Sequence, residues 1–308
     1  MSIVTSDFLA AMMTNYRAIF QKALDESGKE TMLYNIIATQ IPSTTDRESY
    51  GWLGANPNMS EWADKRQIKA PLPYDYTLVN KHYEGTIAVN RDTYEDDKYG
   101  MIAPRVQGLA RRALRHYNQM VVSQLDDGET LTGYDGNAFF SATHAAIGGS
   151  GQFANLLSGG YSASADEIRA AMAAAYGAMQ NFLDDQGVYM ALMPDTIVCS
   201  PAMAIPIRNA ILPAVAGTAR PEAGIFPDAR IYSSPWIDND SLDWYVLCTQ
   251  DVEIKPLIFQ LRKDVEFVSM DKPDDSNVFM QNEFYYGVDD RFAVGYGDPR
   301  TAIKVVDA

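Results

Sequence analysis

The stretch that decides the fold is YGWLG at residues 50–54, which runs on through EW at 61–62 and KR at 65–66. It mixes aromatic, charged and turn-forming residues and shows no helical period. Pro71 and Pro73 exclude a central strand at their positions, so we expect an edge or hairpin structure there. A long hairpin has too little apolar surface of its own to be stable in water. The stretch therefore favours an extended loop that packs on another copy of the chain.

Further blocks follow this stretch in a fixed order. The first block adds NK at 80–81, EGT at 84–86 and RD-x-YEDD at 91–97. A second block, near the C-terminus, consists of PLIFQ-x-R at 256–262, VFM-x-NEF at 278–284 and GYG at 295–297. A weaker block is YDG-x-x-FF at 134–140, followed by His144. In this order and spacing the chain resembles the major head protein of Mu-type tailed phages, with the poorest match over roughly 160–250.

The resemblance implies the α+β fold of tailed-phage major capsid proteins, the Johnson fold. That fold has an N-terminal arm, an extended loop, a long spine helix, and peripheral and axial domains. The expected divisions of this chain are an N-terminal arm over 1–45, an extended loop with its adjoining peripheral strand over 46–90, a peripheral domain with the spine helix over 91–159, an axial domain over 160–252, and C-terminal strands, mainly of the peripheral domain, over 253–308.

Two helices are predicted with clear boundaries. Apolar residues recur at helical spacing over 101–126, and Gly128 follows as a typical C-terminal stop. Ser164-Ala-Asp-Glu167 has the pattern of a capping box, which predicts a helix to about Leu183. Another helix is predicted over 5–25.

Strands are predicted elsewhere from their apolar runs and turn signals. Leu33–Ile41 and Lys81–Asn90 are predicted as strands, and four more are predicted beyond Ile254. These four are 256–261, 265–270, 278–285 and 291–296. GYG at 295–297 is predicted as a turn.

The extended loop supplies the candidate contacts between subunits. Tryptophan and tyrosine are the usual energetic centres of interfaces, and these tryptophans lie in a polar, Pro/Gly-punctuated segment. Core burial is the alternative for them. The candidate inter-subunit residues are Tyr50, Trp52, Trp62, Lys65 and Arg66.

Arg111, Arg112 and Arg115 lie on the polar face of the predicted helix 101–126, with Arg105 and His116. One interpretation is a solvated face with ion pairs. The other is a face toward packaged DNA or a neighbouring subunit, which would contact phosphates without sequence preference. The resemblance favours the second interpretation, because the spine helix of related shells lies near their inner surface.

The sequence predicts no catalytic, cofactor or metal site. The acidic cluster at 92–97 fits no calcium-loop spacing, and Asp92 and Glu95 resemble a capping box. The three histidines form no visible catalytic set, and His144 is expected to make a structural hydrogen bond. Cys199 and Cys248 are expected to be reduced, buried thiols in strands.

Net charge and hydropathy argue against several other classes of protein. The net charge of −15 argues against a dedicated nucleic-acid binder. We expect no secretory signal and no membrane span, and synthesis in a bacterial host cytoplasm.

The leading hypothesis is a structural capsid protein, not an enzyme. It would assemble into hexamers and pentamers of an icosahedral head around DNA, in a virion or prophage. Its partners, as the resemblance implies, are further copies of itself, a scaffold, a maturation protease and a portal. The alternatives are a prokaryotic protein nanocompartment of the same fold that encloses enzyme cargo and, less well supported, a soluble hydrolase.

Overall fold

The computed structural model describes residues 6–27, 32–51, 75–95, 100, 102–145, 152–158, 164–184, 187–211, 229–238, 242–272 and 274–307. Two sheets covered by helices carry the two main apolar cores of these residues. The helices are α1 Ser6–Asp25, α2 Leu33–Ile37, α3 Arg91–Glu95, α4 Ile102–Asp126, α5 Ala165–Asn181, α6 Pro201–Ile211 and α7 Ser276–Gln281. The strands are β1 Ala38–Pro42, β2 Arg47–Gly51, β3 Asp75–Val79, β4 Lys81–Asn90, β5 His144–Ala145, β6 Gln152–Phe153, β7 Leu156–Ser158, β8 Thr196–Cys199, β9 Arg230–Ser233, β10 Trp244–Leu247, β11 Leu257–Met270, β12 Glu283–Tyr296 and β13 Ala302–Val306.

The first sheet has four strands in the order β1-β11-β12-β4. β11 and β12 are antiparallel strands of fourteen residues each, and β4 pairs antiparallel with β12 along its whole length. β1 runs parallel to β11, with Ala38 opposite Leu257. One edge of the sheet is therefore formed by β1, which lies more than two hundred residues before its partner β11 in the chain.

Helix α4 packs a long apolar face against this sheet. Its 25 residues would span about 38 Å at the usual helical rise of about 1.5 Å per residue. Val106, Ala110 and Leu114 are fully buried in the first core, and the rings of Tyr117 and Phe292 meet edge-on at 4.8 Å. The predicted helix over 101–126 is confirmed.

The N-terminal residues join the same core. Tyr16 and Phe20 of α1 are buried, and Phe20 packs against Phe267 of β11 at 5.3 Å between ring centroids. Residues 16–27 and 32–42, which belong to the segment expected as an arm, thus lie against the subunit's own helix and sheet.

The second sheet has five strands in the order β7-β13-β10-β8-β9. Its inner strands β10 and β8 are buried at every position and read as mostly apolar runs, whereas the edge strand β9 begins and ends on exposed residues. In β10, Trp244 and Val246 face a core made with α5 and α6, whereas Tyr245 and Leu247 face the first core. This sheet therefore lies between the two cores.

Several predicted boundaries are wrong for local reasons. Leu33–Ile41 is a one-turn helix, α2, followed by β1. The predicted strands 256–261 and 265–270 are one strand, β11, with irregular pairing between Leu261 and Glu266. The predicted strand 278–285 begins as helix α7, which ends at a left-handed Asn282.

Three smaller predictions also need correction. Asn90, not Asp92, caps α3: its side-chain oxygen accepts from the Asp92 amide at 2.9 Å. Gly295 belongs to β12 and not to a turn. Gly128 lies in a 3₁₀ turn after α4, where a Cβ would approach Phe140 Cδ2 to 2.6 Å, so close packing explains this glycine.

Candidate functional site

The root of the extended loop is a two-stranded antiparallel ladder. β2 and β3 pair from Arg47 opposite Val79 to Gly51 opposite Asp75. Residues 52–74 lie outside the described residues, and with them the candidate contacts Trp52, Trp62, Lys65 and Arg66. The chain thus leaves the described part after Gly51 and returns at Asp75.

Apolar contacts seat this root on the first sheet. Leu78 forms a small core with Ile258 of β11 and Ala293 of β12, separate from the two main cores. Gly295 makes the seat possible, because a Cβ there would lie 2.4 Å from Leu78 Cδ2 and 2.9 Å from the Tyr76 hydroxyl. The first glycine of the GYG block is therefore required by the close approach of β3.

Polar contacts seat the root as well. The Tyr50 hydroxyl donates to Gln260 Oε1 at 2.7 Å, and Gln260 is fully buried. The amide of Tyr296 donates to the Tyr76 hydroxyl at 3.1 Å. Burial, together with the negative charge of Glu48, raises the pKa of Tyr50 to about 12. The hydroxyl of Tyr50, expected at a contact between subunits, is engaged within its own subunit.

The entry to the loop is fixed by the carboxylate of Glu48. It accepts hydrogen bonds from the Thr44 amide at 2.9 Å and from the Ser43 hydroxyl at 2.8 Å. The backbone amide of Thr44, followed by the Ser43 hydroxyl, lowers the pKa of Glu48 to about 2. The carboxylate is therefore charged over the whole ordinary pH range.

The three candidate arginines lie together on the outer face of α4. Arg111, Arg112 and Arg115 are all exposed, and none of them forms an ion pair with a described residue. Arg105 is exposed on the same helix. The face is therefore solvated in the isolated subunit, and its three arginines have no ion-pair partner within the described part of the chain.

His116 does not share this face. Its ring packs edge-on against Tyr83 of β4 at 4.8 Å and lies 5.8 Å from Phe292 of β12. Burial lowers its pKa, and its Nε2 atom is buried without a hydrogen-bond partner. The helix turns this side chain toward the sheet, so the expectation that it belongs to the basic face is wrong.

His144 holds a loop together, as expected. Its Nδ1 lies 2.7 Å from Asp135 Oδ2, and its Nε2 lies 3.1 Å from Asn155 Oδ1. The Asn155 amide group donates to the carbonyl oxygens of Phe139 and Pro299 at 2.7 and 3.0 Å. The YDG-x-x-FF block therefore belongs to a buried structural network.

The tip of the β11–β12 hairpin was missed by the sequence reasoning. Phe279 and Met280 of α7 are 83% and 76% exposed, while Val278 packs into the first core. Asn277 fastens the helix by donating to the carbonyl oxygens of Met270 and Glu283 at 2.9 and 2.7 Å. The Asp-Asp-Ser run before Val278 was the available signal for a helix start.

In the described part of the chain, three further features concern metal binding, cysteine pairing and membrane insertion. No cluster of three or more His, Cys, Asp or Glu residues suited to a metal ion occurs among those residues. Cys199 and Cys248 are buried, free thiols, but only Cys199 lies in a strand, since β10 ends at Leu247. Burial raises the pKa of each thiol to about 12. Of the helices described, none is long and apolar enough to cross a membrane.

Comparisons with known proteins agree with these features. A family model described as the Mu-like prophage major head subunit gpT matches residues 9–167 and 227–307. The major capsid protein of Escherichia phage Mu is 30% identical over 307 residues, which cover 98% of this chain and 75% of that protein. The Mu-like prophage FluMu major head subunit of Haemophilus influenzae is 26% identical over 298 residues, with 96% and 72% covered.

A solved structure supports the same relationship. A chain of the bacteriophage JBD30 procapsid superposes with a TM-score of 0.60 at 28% identity, and the match covers 99% of this chain and 76% of that chain. The predicted α+β fold of tailed-phage capsid proteins is confirmed.

Proposed function

Because the chain belongs to the family of Mu-like prophage major head subunits, we propose that its copies assemble as hexamers and pentamers into an icosahedral head around double-stranded DNA. The protein is a major capsid protein, and copies of such proteins form the shell of the virion. Family membership favours a phage head over a nanocompartment. The family is structural, and the proposed role includes no catalysis.

The observation that carries this proposal is the root of the extended loop. Two strands leave the first sheet side by side and are held on it by Leu78, Tyr50 and Tyr76. Between Gly51 and Asp75 lie 23 residues. As two extended arms, at about 3.3 Å per residue, they are long enough to reach about 35 Å from the root before the chain returns. We propose that this segment lies over an adjacent subunit, with Trp52 and Trp62 as anchors and Tyr50, Lys65 and Arg66 beside them.

The exposed arginines support a second part of the proposal. Arg111, Arg112 and Arg115 form an exposed basic face with no ion pair to another described residue, on a chain of net charge −15. A local positive face attracts phosphates even on a chain that is acidic overall. We propose that this face of α4 points to the packaged DNA.

The two cores suggest how the predicted domains map onto the chain. We propose that the first core, with α4 and the four-stranded sheet, is the peripheral domain, and that the second core, with α5 and α6, is the axial domain. β13 lies in the five-stranded sheet, so one C-terminal strand belongs with the proposed axial part.

The remaining proposed partners follow from the family. They are a scaffold, a maturation protease and a portal protein, all met in the cytoplasm of the bacterial host, where we propose that the chain is made.

The purified protein tests this function directly. Light scattering and electron microscopy, with and without the proposed scaffold protein, should show capsomer rings or closed particles. Particles produced in cells should protect DNA from nuclease. A stable monomer under all of these conditions would contradict the proposal, and particles filled with a tagged protein would support the nanocompartment instead.

A further inference from the structure

Five polar side chains form a chain of hydrogen bonds around the loop root. The Tyr50 hydroxyl donates to Gln260 Oε1 at 2.7 Å, and Gln260 Nε2 donates to Asn80 Oδ1 at 2.7 Å. Asn80 Nδ2 donates to the Ser43 hydroxyl at 2.8 Å, and that hydroxyl donates to Glu48 Oε1 at 2.8 Å. The chain begins and ends on β2, and we call these five residues the polar belt.

The direction of each bond in the polar belt is fixed by backbone carbonyls. Gln260 Nε2 also lies 3.4 Å from the Leu78 carbonyl oxygen, and Asn80 Nδ2 lies 2.9 Å from the Thr45 carbonyl oxygen. A carbonyl oxygen only accepts, so neither side-chain amide can be reversed without loss. All donors therefore point along the belt toward the carboxylate of Glu48.

Because the polar belt is buried, breaking its hydrogen bonds costs free energy. Gln260 is fully buried, and Asn80 and Ser43 are 6% and 5% exposed. A buried polar group without a partner costs more than its hydrogen bond contributes when it is made. If the root rotated on the sheet, several buried donors and acceptors would be left unpaired together. The polar belt thus opposes any change in the angle at which the two strands leave the sheet.

We propose that Gln260 is a positioning residue for assembly, which fixes the direction of the extended loop before subunits meet. Gln260 is the only member of the polar belt that belongs to the four-stranded sheet, so it connects the loop root to the rigid part of the subunit. This inference rests on the proposed function, in which residues 52–74 lie over a neighbouring subunit. A loop whose direction is preorganised loses less conformational entropy when it binds a neighbouring subunit.

Spin labels on the full-length protein test the inference. One label is placed at Thr77→Cys on β3 and the other at Gln119→Cys on α4, both exposed positions. Cys199 and Cys248 can remain, because buried thiols whose pKa is about 12 react poorly with labelling reagents. Gln260→Met keeps a side chain of similar length and removes the amide. The distance distribution between the labels should be narrow in the parent and broad in Gln260→Met.

Two further variants separate positioning from general stability. Thr196→Val removes a buried hydroxyl from β8, far along the chain from the loop, and should leave the label distances narrow. Tyr50→Phe removes one bond of the polar belt and keeps the ring, so it should broaden the distribution less than Gln260→Met. A distribution as narrow in Gln260→Met as in the parent would overturn the inference, whatever the thermal stability.

Particle yield is then compared for the same variants. If Gln260→Met broadens the label distances and also loses most closed particles, the inference and the proposed role of the loop both stand. If it broadens the distances and still forms normal shells, assembly does not need a loop positioned by Gln260, so the inference is overturned while the proposed shell function stands.

Discussion

Tyr245 of the five-stranded sheet donates a 2.6 Å hydrogen bond to Asp126, the last residue of α4. A second contact lies beside it, since the buried Lys304 ammonium contacts Glu129 at 2.5 Å and Asp243 at 2.9 Å. Tyr296 of the first sheet also reaches this end of α4, where it donates to the Gln124 carbonyl oxygen at 2.7 Å. The end of the long helix therefore connects the two sheets.

Tyr245→Phe should weaken this connection without changing the packing volume. Loss of the hydrogen bond from the buried Tyr245 hydroxyl to the Asp126 carboxylate should lower the free energy of unfolding by about 2 kcal/mol. Urea denaturation of the unassembled subunit measures the change. Tyr189→Phe is the matched control, because Tyr189 is 66% exposed and its substitution should have almost no effect. Equal stability of both variants would show that the Tyr245–Asp126 bond contributes nothing.

Asp290 predicts a pH dependence of stability. It is buried in β12 with Oδ1 lacking a hydrogen-bond partner, and its pKa is raised to about 6, chiefly by burial. The folded state then holds a proton that the unfolded chain releases near its ordinary pKa of about 4. The contribution of Asp290 to the free energy of unfolding should therefore fall as the pH rises from about 4 to about 6, and stay constant above.

Asp290→Asn removes this penalty. At pH 7.5 the variant should be more stable than the parent by up to about 3 kcal/mol, the equivalent of a two-unit pKa shift. The difference should vanish toward pH 4. Urea titrations at a series of pH values measure the stability difference between variant and parent and its pH dependence. The control is Asp274→Asn at an exposed position. A difference that is the same at every pH would exclude Asp290 as the group responsible.

Two glycines offer a paired test of the loop root. Gly295→Ala places a Cβ 2.4 Å from Leu78, so β3 must shift from the sheet. Thermal melting should show destabilisation of about 1–3 kcal/mol, as for other overpacked sites. Gly108→Ala adds a Cβ in α4 that meets nothing within 4 Å, and should stabilise by about 0.5–1 kcal/mol. A Gly295→Ala protein as stable as the parent would mean that the root is not seated there.

The sequence predicted best where the signal was local. The apolar period of α4, the alternation of β4 and the capping box of Ser164 and Glu167 each depend on residues a few positions apart, and all three elements form. The pairing of β1 with β11 has no local signal. In α7, Val278 and Met280 alternate as in a strand, yet tertiary packing of Val278 and Asn277 selects a helix.

The candidate site was predictable only in outline. The GYG block and the loop were recognised separately, but the contact of Gly295 with Leu78 joins residues far apart in sequence. For the same reason the sequence could not predict that the Tyr50 hydroxyl bonds Gln260 of its own chain, 210 positions away. The face of His116 was misjudged because it lies at the edge of the apolar stripe of α4.

The arginine face predicts salt-dependent retention of DNA. Replacing Arg111, Arg112 and Arg115 with Gln should leave folding intact, since exposed substitutions usually change stability by less than about 0.5 kcal/mol. Loss of three phosphate contacts should reduce the slope of log affinity against log salt by about 3 for duplex DNA. DNA retained by particles at increasing salt measures this, with Arg208→Gln and Arg230→Gln, two exposed arginines elsewhere, as control. Unchanged retention would argue against a DNA-facing role.

Trp52→Ala and Trp62→Ala should separate assembly from folding. A tryptophan buried in a neighbour can contribute about 2 kcal/mol or more to a contact, and a shell repeats that contact in every copy. We expect subunits with parental circular dichroism and melting temperature but few particles. Trp244→Ala is the contrasting core variant, because Trp244 is 1% exposed and its loss should cost about 3–5 kcal/mol of folding stability. Loss of folding in the loop variants would make these tryptophans core residues.

The central claim is that the seated root directs the extended loop over a neighbouring subunit of a closed shell. A density map of assembled particles, at a resolution that shows side chains, tests it most directly. The account predicts that residues 52–74 of one subunit lie against another, with Trp52 and Trp62 covered and Tyr50 still bonded to Gln260 of its own chain. A map in which residues 52–74 fold back onto their own subunit, or in which the Tyr50–Gln260 contact is absent, would contradict it.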